Sequence, residues 1–160
     1  MTPTDQIREK AIALGFDAIG FAAAHLGPEA RTRLRDFLAA GHHGSMGWLA
    51  ERAEQRSHPQ ALWPEARSVI SLGLCYAPPD DPMATVARRD RGNISVYARN
   101  RDYHDLIKAK LKQVASRFAA KTGNAVKVFV DTAPVMEKPL AAAAGIGWPG
   151  THTNLVSREF

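Results

Sequence analysis

Apolar residues recur every three or four positions near the start of the chain, which is the spacing of one face of a helix. That face consists of Ile7, Ala11 and Leu14. The preceding Thr2-Pro3 step supplies a capping hydroxyl group and a proline for the first turn, and Gly15 can end the helix. The pattern therefore predicts a helix between these limits.

A longer pattern of the same kind follows the middle of the chain. Asp102 can cap it and Gly123 can end it. Its apolar face comprises Leu106, Ile107, Leu111, Val114 and Phe118. Shorter helices are predicted from Pro28 with Phe37 facing inward, from Ser45 to Leu49, and from Pro139 to Ala144.

Three segments have the composition of strands. They are Phe16 to Ala22, Ser68 to Tyr76 and Val126 to Val130. The span from Arg56 to Pro64 is expected to be rich in turns, and the tail after Gly145 to be a glycine-rich loop. Strands separated by helices indicate a layered α/β or α+β fold, and we expect residues 1–160 to form a single domain.

Composition limits the class of protein further. Hydrophobic residues make up 45% of the chain and charged residues 23%, which is the balance of a protein folded around one core. No apolar run is long enough to span a membrane and no secretion signal is evident, so we expect a cytoplasmic protein without membrane contact. The formal net charge of +5 favours an anionic partner.

Asp131 is the first candidate for chemistry, because it stands where a predicted strand ends and ligand sites gather at strand ends. A carboxyl group donates a proton near neutral pH where apolar surroundings disfavour its charged form. Phe129, Val130 and Val135 are the neighbours expected to provide them. The alternative is that the Asp131 side chain caps the following turn or helix, a common role at such a position.

Two other segments are candidates for binding. Residues 145–154 contain three glycines and Trp148, which suit close approach to a large cofactor; the alternative is an ordinary surface loop. Five arginines between Arg88 and Arg101 are interleaved with Tyr97, and Tyr103 and His104 follow. This mixture favours nucleic-acid contact or, equally, a solvated loop with salt bridges.

The spacing of the candidate ligands gives no sign of a metal site. Its histidines lack the helical spacing of zinc hydrolases, and we predict no metal ligands among them. The single cysteine, Cys75, cannot form an internal disulfide or complete a cysteine-ligated cluster within this chain. Its position in a predicted strand indicates a small buried hydrophobic residue.

Four groups of residues together resemble the epoxyqueuosine reductase family in order and spacing. They are Met46-Gly47-Trp48-Leu49 with Arg52 and Arg56; Pro64 to Ile70; Tyr97-Ala98-Arg99 with Asp102-Tyr103-His104; and Asp131 to Val135 with Glu137-Lys138. The resemblance covers nearly the whole chain. Its most specific parts are the run from Asp131 to Pro134 and the loop from Gly147 to Leu155.

The resemblance implies an α+β fold with a layered sheet and flanking helices, similar to nitroreductases and reductive dehalogenases, and a bound cobalamin. It implies a reaction on tRNA in which epoxyqueuosine is reduced to queuosine with loss of water. Asp131 matches the family's proton donor. The positions that match cofactor-contacting segments are Arg56, Ala98, Asp131, Asn154, Leu155 and Val156.

The resemblance also predicts what a complete enzyme needs beyond this chain. Family members continue into a segment with two 4Fe–4S clusters and a helical repeat region, so we expect a truncated chain that is inactive alone. An external electron donor is implied for the complete enzyme. The chain departs from the family at Thr151, where lysine is usual, at Pro149, where a polar residue is frequent, at His58, where aspartate is usual, and at Cys75, where asparagine is usual.

Two other hypotheses stand beside this one. The first is a basic nucleic-acid-binding module without catalysis, based on the arginine-rich segment and the positive net charge. The second is a flavin-dependent, nitroreductase-like enzyme, which rests on fold analogy alone.

Overall fold

A computed structural model describes residues 2–158, which contain both helices and strands. The helices are α1 (Pro3–Ala13), α2 (Pro28–Ala39), α3 (Trp48–Glu51), α4 (Ala53–Ser57), α5 (Pro59–Leu62), α6 (Tyr103–Thr122) and α7 (Glu137–Ala143), with a 3-10 turn at Val96–Ala98. The strands are β1 (Ala18–Ala23), β2 (Ser68–Gly73), β3 (Trp148–Pro149) and β4 (Leu155–Val156). A mixed fold of helices and strands is therefore confirmed, whereas the nitroreductase-like layering stays a prediction.

The chain folds into two compact units. One unit comprises the chain up to Asp17 together with residues 74–130, and contains α1 and α6. The other comprises, among the described residues, 18–73 and 131–158, and contains the four strands and the remaining α-helices.

The first unit is organised by the contact between α1 and α6. Thr2 begins α1 as predicted: its Oγ1 accepts a hydrogen bond of 3.2 Å from the backbone N–H of Asp5, and the Asp5 carboxylate accepts one of 2.8 Å from the N–H of Thr2. The buried contact surface includes Ile7 and Ala11 of α1 and Val114 of α6. The helical periodicity thus identified Ile7, Ala11 and Val114 correctly as packed, whereas Leu106, which was predicted to lie on the same face of α6, is 43% exposed.

The second unit is built on an antiparallel pair, β1 and β2, in which Ala18 lies opposite Gly73 and Ala23 opposite Ser68. Helix α7 packs against both strands. Its approach is close at Gly20 of β1, where an added Cβ would collide with the carbonyl oxygen of Ala144 at the end of α7. Glycine at this position is therefore a packing requirement.

The strand predicted at residues 126–130 is wrong. None of these residues is assigned to a strand, and the ladders present in residues 2–158 join β1 to β2 and β3 to β4. Val130 is nevertheless buried, with 8% of its surface exposed. Alternating apolar residues identify a segment that is partly buried, but a strand also requires backbone hydrogen bonds to a neighbour.

Two predictions of burial are also wrong. Phe37 is 39% exposed, and no residue of α2 is fully buried. Cys75 is exposed, since β2 ends at Gly73 and the cysteine lies beyond it. The backbone N–H of Cys75 donates a hydrogen bond of 2.7 Å to the carboxylate of Asp17.

Local boundaries differ from the predictions in three places. The helix expected to start at Ser45 begins at Trp48 and has Gly47 as its N-cap residue. The span expected to be rich in turns contains the end of α4 and all of α5, because Pro59 occupies a first-turn position where proline is tolerated. The tail expected to be a loop forms the β3–β4 hairpin.

Within residues 2–158, no helix combines the length and the apolar character needed to cross a lipid bilayer.

Candidate functional site

Asp131 lies at the start of a turn that leads into α7. Its φ of 54° is in the left-handed region, which is uncommon for residues with a side chain. Its backbone N–H donates a hydrogen bond of 2.9 Å to Oε1 of Glu137, the first residue of α7. The residue is exposed, so the expected apolar enclosure by Phe129, Val130 and Val135 is wrong for this structure.

The glycine-rich tail folds into a short hairpin. Trp148 pairs with Val156 and Pro149 pairs with Leu155. A Cβ at Gly147 would collide with the carbonyl oxygen of Val156, so glycine is required for the two strands to approach at this point. Three of the predicted cofactor-binding positions, residues 154–156, therefore lie on one structured element.

The tip of the hairpin is held by local hydrogen bonds and by α7. The N–H of Gly150 donates to the carbonyl oxygen of Asn154 at 2.8 Å, and the N–H of Asn154 donates to Nδ1 of His152 at 3.1 Å. Lys138 of α7 donates from Nζ to Oδ1 of Asn154 at 3.3 Å. The first two residues of α7 thus contact two predicted site residues. The side chain of Glu137 contacts the backbone of Asp131, and the side chain of Lys138 contacts the side chain of Asn154.

Arg56 near the end of α4 is half-buried, and its guanidinium group lies over the ring of Trp48, with 5.2 Å between Cζ and the ring centroid. Its Nε is buried and has no hydrogen-bond partner among residues 2–158. Burial, followed by repulsion from Arg52, lowers the pKa of Arg56 from its ordinary value. A buried N–H of a cationic group without an acceptor is an unusual feature that a bound ligand can satisfy.

Ala98 belongs to the other unit, where it is exposed at the end of the 3-10 turn. The adjacent Tyr97 is 57% exposed. Of the arginines in this segment, Arg88 and Arg91 both lie near the carboxylate of Asp90, at 3.5 Å and 3.4 Å. Part of the positive charge of the segment is therefore offset locally.

One pair of residues was missed by the sequence analysis. Nδ1 of His25 and Nε2 of His58 are 3.0 Å apart. Nδ1 of His58 accepts a hydrogen bond from the N–H of Gln60, so a neutral His58 carries its proton on Nε2 and donates it to His25. The two histidines are 33 residues apart, and no local sequence signal connects them.

A metal centre formed by three or more histidine, cysteine, aspartate or glutamate side chains is not found in the part of the chain that the structure describes. His25 and His58 form a hydrogen-bonded pair.

Comparison with known proteins places this arrangement in a family. The family model described as epoxyqueuosine reductase QueG, DUF1730, matches residues 56–132, a range that includes Arg56, Ala98 and Asp131. An epoxyqueuosine reductase from Xanthomonas campestris pv. campestris is 41% identical over 98% of this chain, which spans 45% of that relative.

Solved structures agree with the sequence comparison. A crystal structure of selenomethionine-labeled epoxyqueuosine reductase superposes with a TM-score of 0.82 at 26% identity, covering 98% of this chain and 42% of that one. A crystal structure of epoxyqueuosine reductase with a tRNA-Tyr epoxyqueuosine-modified tRNA stem loop superposes with a TM-score of 0.79 at 25% identity, over the same shares. The chain thus spans less than half the length of these relatives.

The fold and these matches define a mixed α/β protein of an oxidoreductase family. The chain belongs to the epoxyqueuosine reductase family.

Proposed function

We propose that this chain is part of an epoxyqueuosine reductase and carries residues of its cofactor site and its proton donor. The observation that carries the proposal is the 41% identity with a relative of that name over 98% of the chain. Because the chain spans 45% of that relative, the activity is proposed for the complete protein. The proposed substrate is a tRNA that contains epoxyqueuosine, as in the related structure with a modified stem loop.

The proposed cofactor is cobalamin, in contact with Arg56, Ala98, Asp131, Asn154, Leu155 and Val156. The feature of this structure that fits such a ligand is the buried Nε of Arg56, which lacks an acceptor among the described residues. Burying a cationic N–H without an acceptor costs free energy. The amide and phosphate oxygens of cobalamin are acceptors of the required kind, so ligand binding would remove this cost.

Cobalamin, when bound, supplies the electrons for the reduction. Conversion of an epoxide to an alkene releases the oxygen as water and consumes two electrons and two protons. We assign the delivery of one proton to the Asp131 carboxyl group. The hydrogen bond to Glu137 holds the Asp131 backbone, while the exposed position of the residue allows its carboxyl group to be reprotonated from solvent.

Electrons must reach the cofactor from outside this chain in the proposed enzyme. The sequence contains one cysteine, whereas a 4Fe–4S cluster takes four cysteine ligands. The clusters implied by the family resemblance would therefore be held by another part of the complete protein. We propose that residues 1–160 alone do not turn over, and that an external donor reduces the complete enzyme.

Retention of cobalamin by the purified chain tests the proposed cofactor site. The chain is incubated with cobalamin, excess cofactor is removed by gel filtration, and the visible spectrum is recorded. The Arg56→Gln variant is expected to weaken retention about fivefold or more, because the half-buried cationic donor is lost. Arg52→Gln is the matched control, since Arg52 is an exposed arginine in the same region and is expected to leave retention unchanged. Equal retention by both variants, or none by the unaltered chain, contradicts the proposed site.

A nucleic-acid-binding module without catalysis is the second candidate function. Two observations support it. Tyr97 is exposed, and the rings of Tyr103 and His104 stack on each other with their centroids 4.2 Å apart. Aromatic groups of this kind can stack on unpaired bases. A chain that binds tRNA with marked salt dependence but retains no cobalamin would favour this candidate over the first.

A further inference from the structure

Helices α1 and α6 enclose a groove that the proposed cofactor site does not use. One cavity has a volume of about 240 Å³ and is lined by the apolar residues Ile7 and Val114 and by the cations Lys10, Arg117 and Lys121. A second, shallow and open depression of about 380 Å³ shares Lys10 and Arg117 with it and is also lined by Lys112. We call these two adjoining spaces the α1–α6 groove.

The charge of the α1–α6 groove is not compensated. Four cationic side chains line it, and no carboxylate of the described residues does. None of the four forms a salt bridge with another residue in the described part of the chain. Nζ of Lys121 donates a hydrogen bond of 2.7 Å to Oε1 of Gln6, a neutral group that leaves the charge in place. The groove is therefore a site of positive potential, which attracts an anionic ligand.

The distribution of the cations indicates the kind of anion. The four cations form a run along and around α6. Lys112 and Lys121 are nine residues apart, which is about 14 Å along the helix axis and about two and a half turns, so they lie on opposite sides of the helix, and Lys10 and Arg117 line both cavities between them. A single small anion contacts only part of such a run, whereas an extended chain of phosphates can follow it. Three of the four cations are lysines, which are depleted in the cores of protein–protein interfaces but are frequent contacts for phosphate groups.

We propose that the α1–α6 groove binds the sugar–phosphate backbone of the tRNA on which the complete enzyme acts. This inference rests on the proposed function, because it takes its polyanion from the proposed substrate. Contacts of this type position the RNA and carry no sequence information. The groove therefore binds unmodified tRNA as well as tRNA with epoxyqueuosine, and its contribution falls as salt concentration rises.

A charge-matched pair of double variants tests the proposal. Lys112→Gln with Arg117→Gln removes two exposed cations of the groove, whereas Arg33→Gln with Arg35→Gln removes two exposed cations of α2. Binding of unmodified, fluorescently labelled tRNA to the purified chain is measured between 50 and 300 mM salt. The groove variant is expected to bind about tenfold more weakly at low salt, and the slope of log K against log salt should become shallower by about 1 to 2. The α2 variant should change neither quantity to this extent.

Each outcome of this experiment decides the proposal. The proposal is supported if the slope of log K against log salt becomes shallower in the groove variant alone. An unchanged unfolding temperature of that variant excludes loss of fold as the cause. Equal slopes in the two variants overturn it, as does a chain that binds no tRNA even at 50 mM salt. Polyglutamate that binds more tightly than tRNA at equal charge concentration would also overturn it, because the groove would then be a site for acidic polypeptides. Cobalamin retention is measured on the same samples, so failure of the groove is distinguishable from failure of the proposed function.

Discussion

The backbone N–H of Asp131 and the Oε1 of Glu137 are joined by a hydrogen bond of 2.9 Å, and this contact links the candidate proton donor to the start of α7. Asp131 has a φ of 54°, a conformation that costs free energy for a residue with a Cβ. The Glu137 carboxylate compensates part of that cost by accepting the N–H. The position of the donor thus depends on a residue six positions further along the chain.

Replacement of Glu137 by alanine should loosen this turn. The Asp131 N–H then loses a charged acceptor, and its amide hydrogen should exchange about fivefold faster or more, the effect of about 1 kcal/mol of lost hydrogen bonding. Hydrogen exchange followed by NMR measures the change at this single amide. The control is Glu137→Gln, which keeps an acceptor oxygen and should retain most of the protection. Similar exchange in the alanine and glutamine variants would show that the hydrogen bond does not hold the turn.

Replacement of Asp131 by asparagine should separate proton transfer from binding. In a complete enzyme that includes this sequence, Asp131→Asn should reduce turnover about 100-fold or more, because the amide has the same shape but no acidic proton. Cobalamin retention should stay close to that of the unaltered enzyme. Asp80→Asn, an exposed acidic residue in an irregular segment, is the control and should leave turnover unchanged. Turnover of Asp131→Asn near the normal rate would remove this residue as the proton donor.

The sequence predicted those parts of the fold that depend on neighbouring residues. The cap at Thr2, the packed face of α1 through Ile7 and Ala11, and the end of α6 at Gly123 are all local features, and the structure confirms them. The strand at residues 126–130 failed, because strand formation depends on a partner that local alternation does not reveal. Overlooking the β3–β4 hairpin has the same cause, since two-residue strands carry almost no periodicity.

The candidate site was predictable by residue type and resemblance, but its geometry was not. The sequence singled out Asp131 and Asn154, yet gave no sign that α7 contacts both through Glu137 and Lys138. The unpartnered Nε of Arg56 was also invisible, because burial of one atom depends on the packing of α3 and α4. Contacts between residues distant in sequence are decided by the fold as a whole.

Gly20 should not tolerate a side chain. An added Cβ would collide with the carbonyl oxygen of Ala144, so Gly20→Ala must push α7 away from β1. Overpacking of this kind costs about 1 to 3 kcal/mol, which corresponds to a fall of several degrees in the unfolding temperature. Gly92→Ala is the control, because a Cβ there meets no atom within 4 Å. Thermal unfolding followed by circular dichroism compares the two variants, and equal unfolding temperatures would contradict the close packing of α7.

The lowered pKa of His58 should make the stability of the protein depend on pH. Burial lowers the pKa of His58 from its ordinary value of 6.5, and the nearby His25 and Arg31 lower it further, whereas Glu54 acts in the opposite direction. Above 6.5 the residue is neutral in both the folded and the unfolded chain. As pH falls below 6.5, the unfolded chain takes up a proton before the folded one, so stability decreases until the folded-state pKa is reached and then levels off.

This loss of stability should disappear when His58 no longer titrates. His58→Asn keeps a side-chain oxygen that can accept the N–H of Gln60 and cap α5, as Nδ1 of His58 does. Urea unfolding at pH 7.5 and pH 5 should show a lower midpoint at pH 5 for the unaltered chain and a smaller difference for the variant. His42→Asn, which replaces an exposed histidine on the turn after α2, should keep the original pH dependence. If His58 is responsible, removing it must reduce the loss of stability between pH 7.5 and pH 5. An equal loss in His58→Asn and in the unaltered chain would show that another group causes the pH dependence.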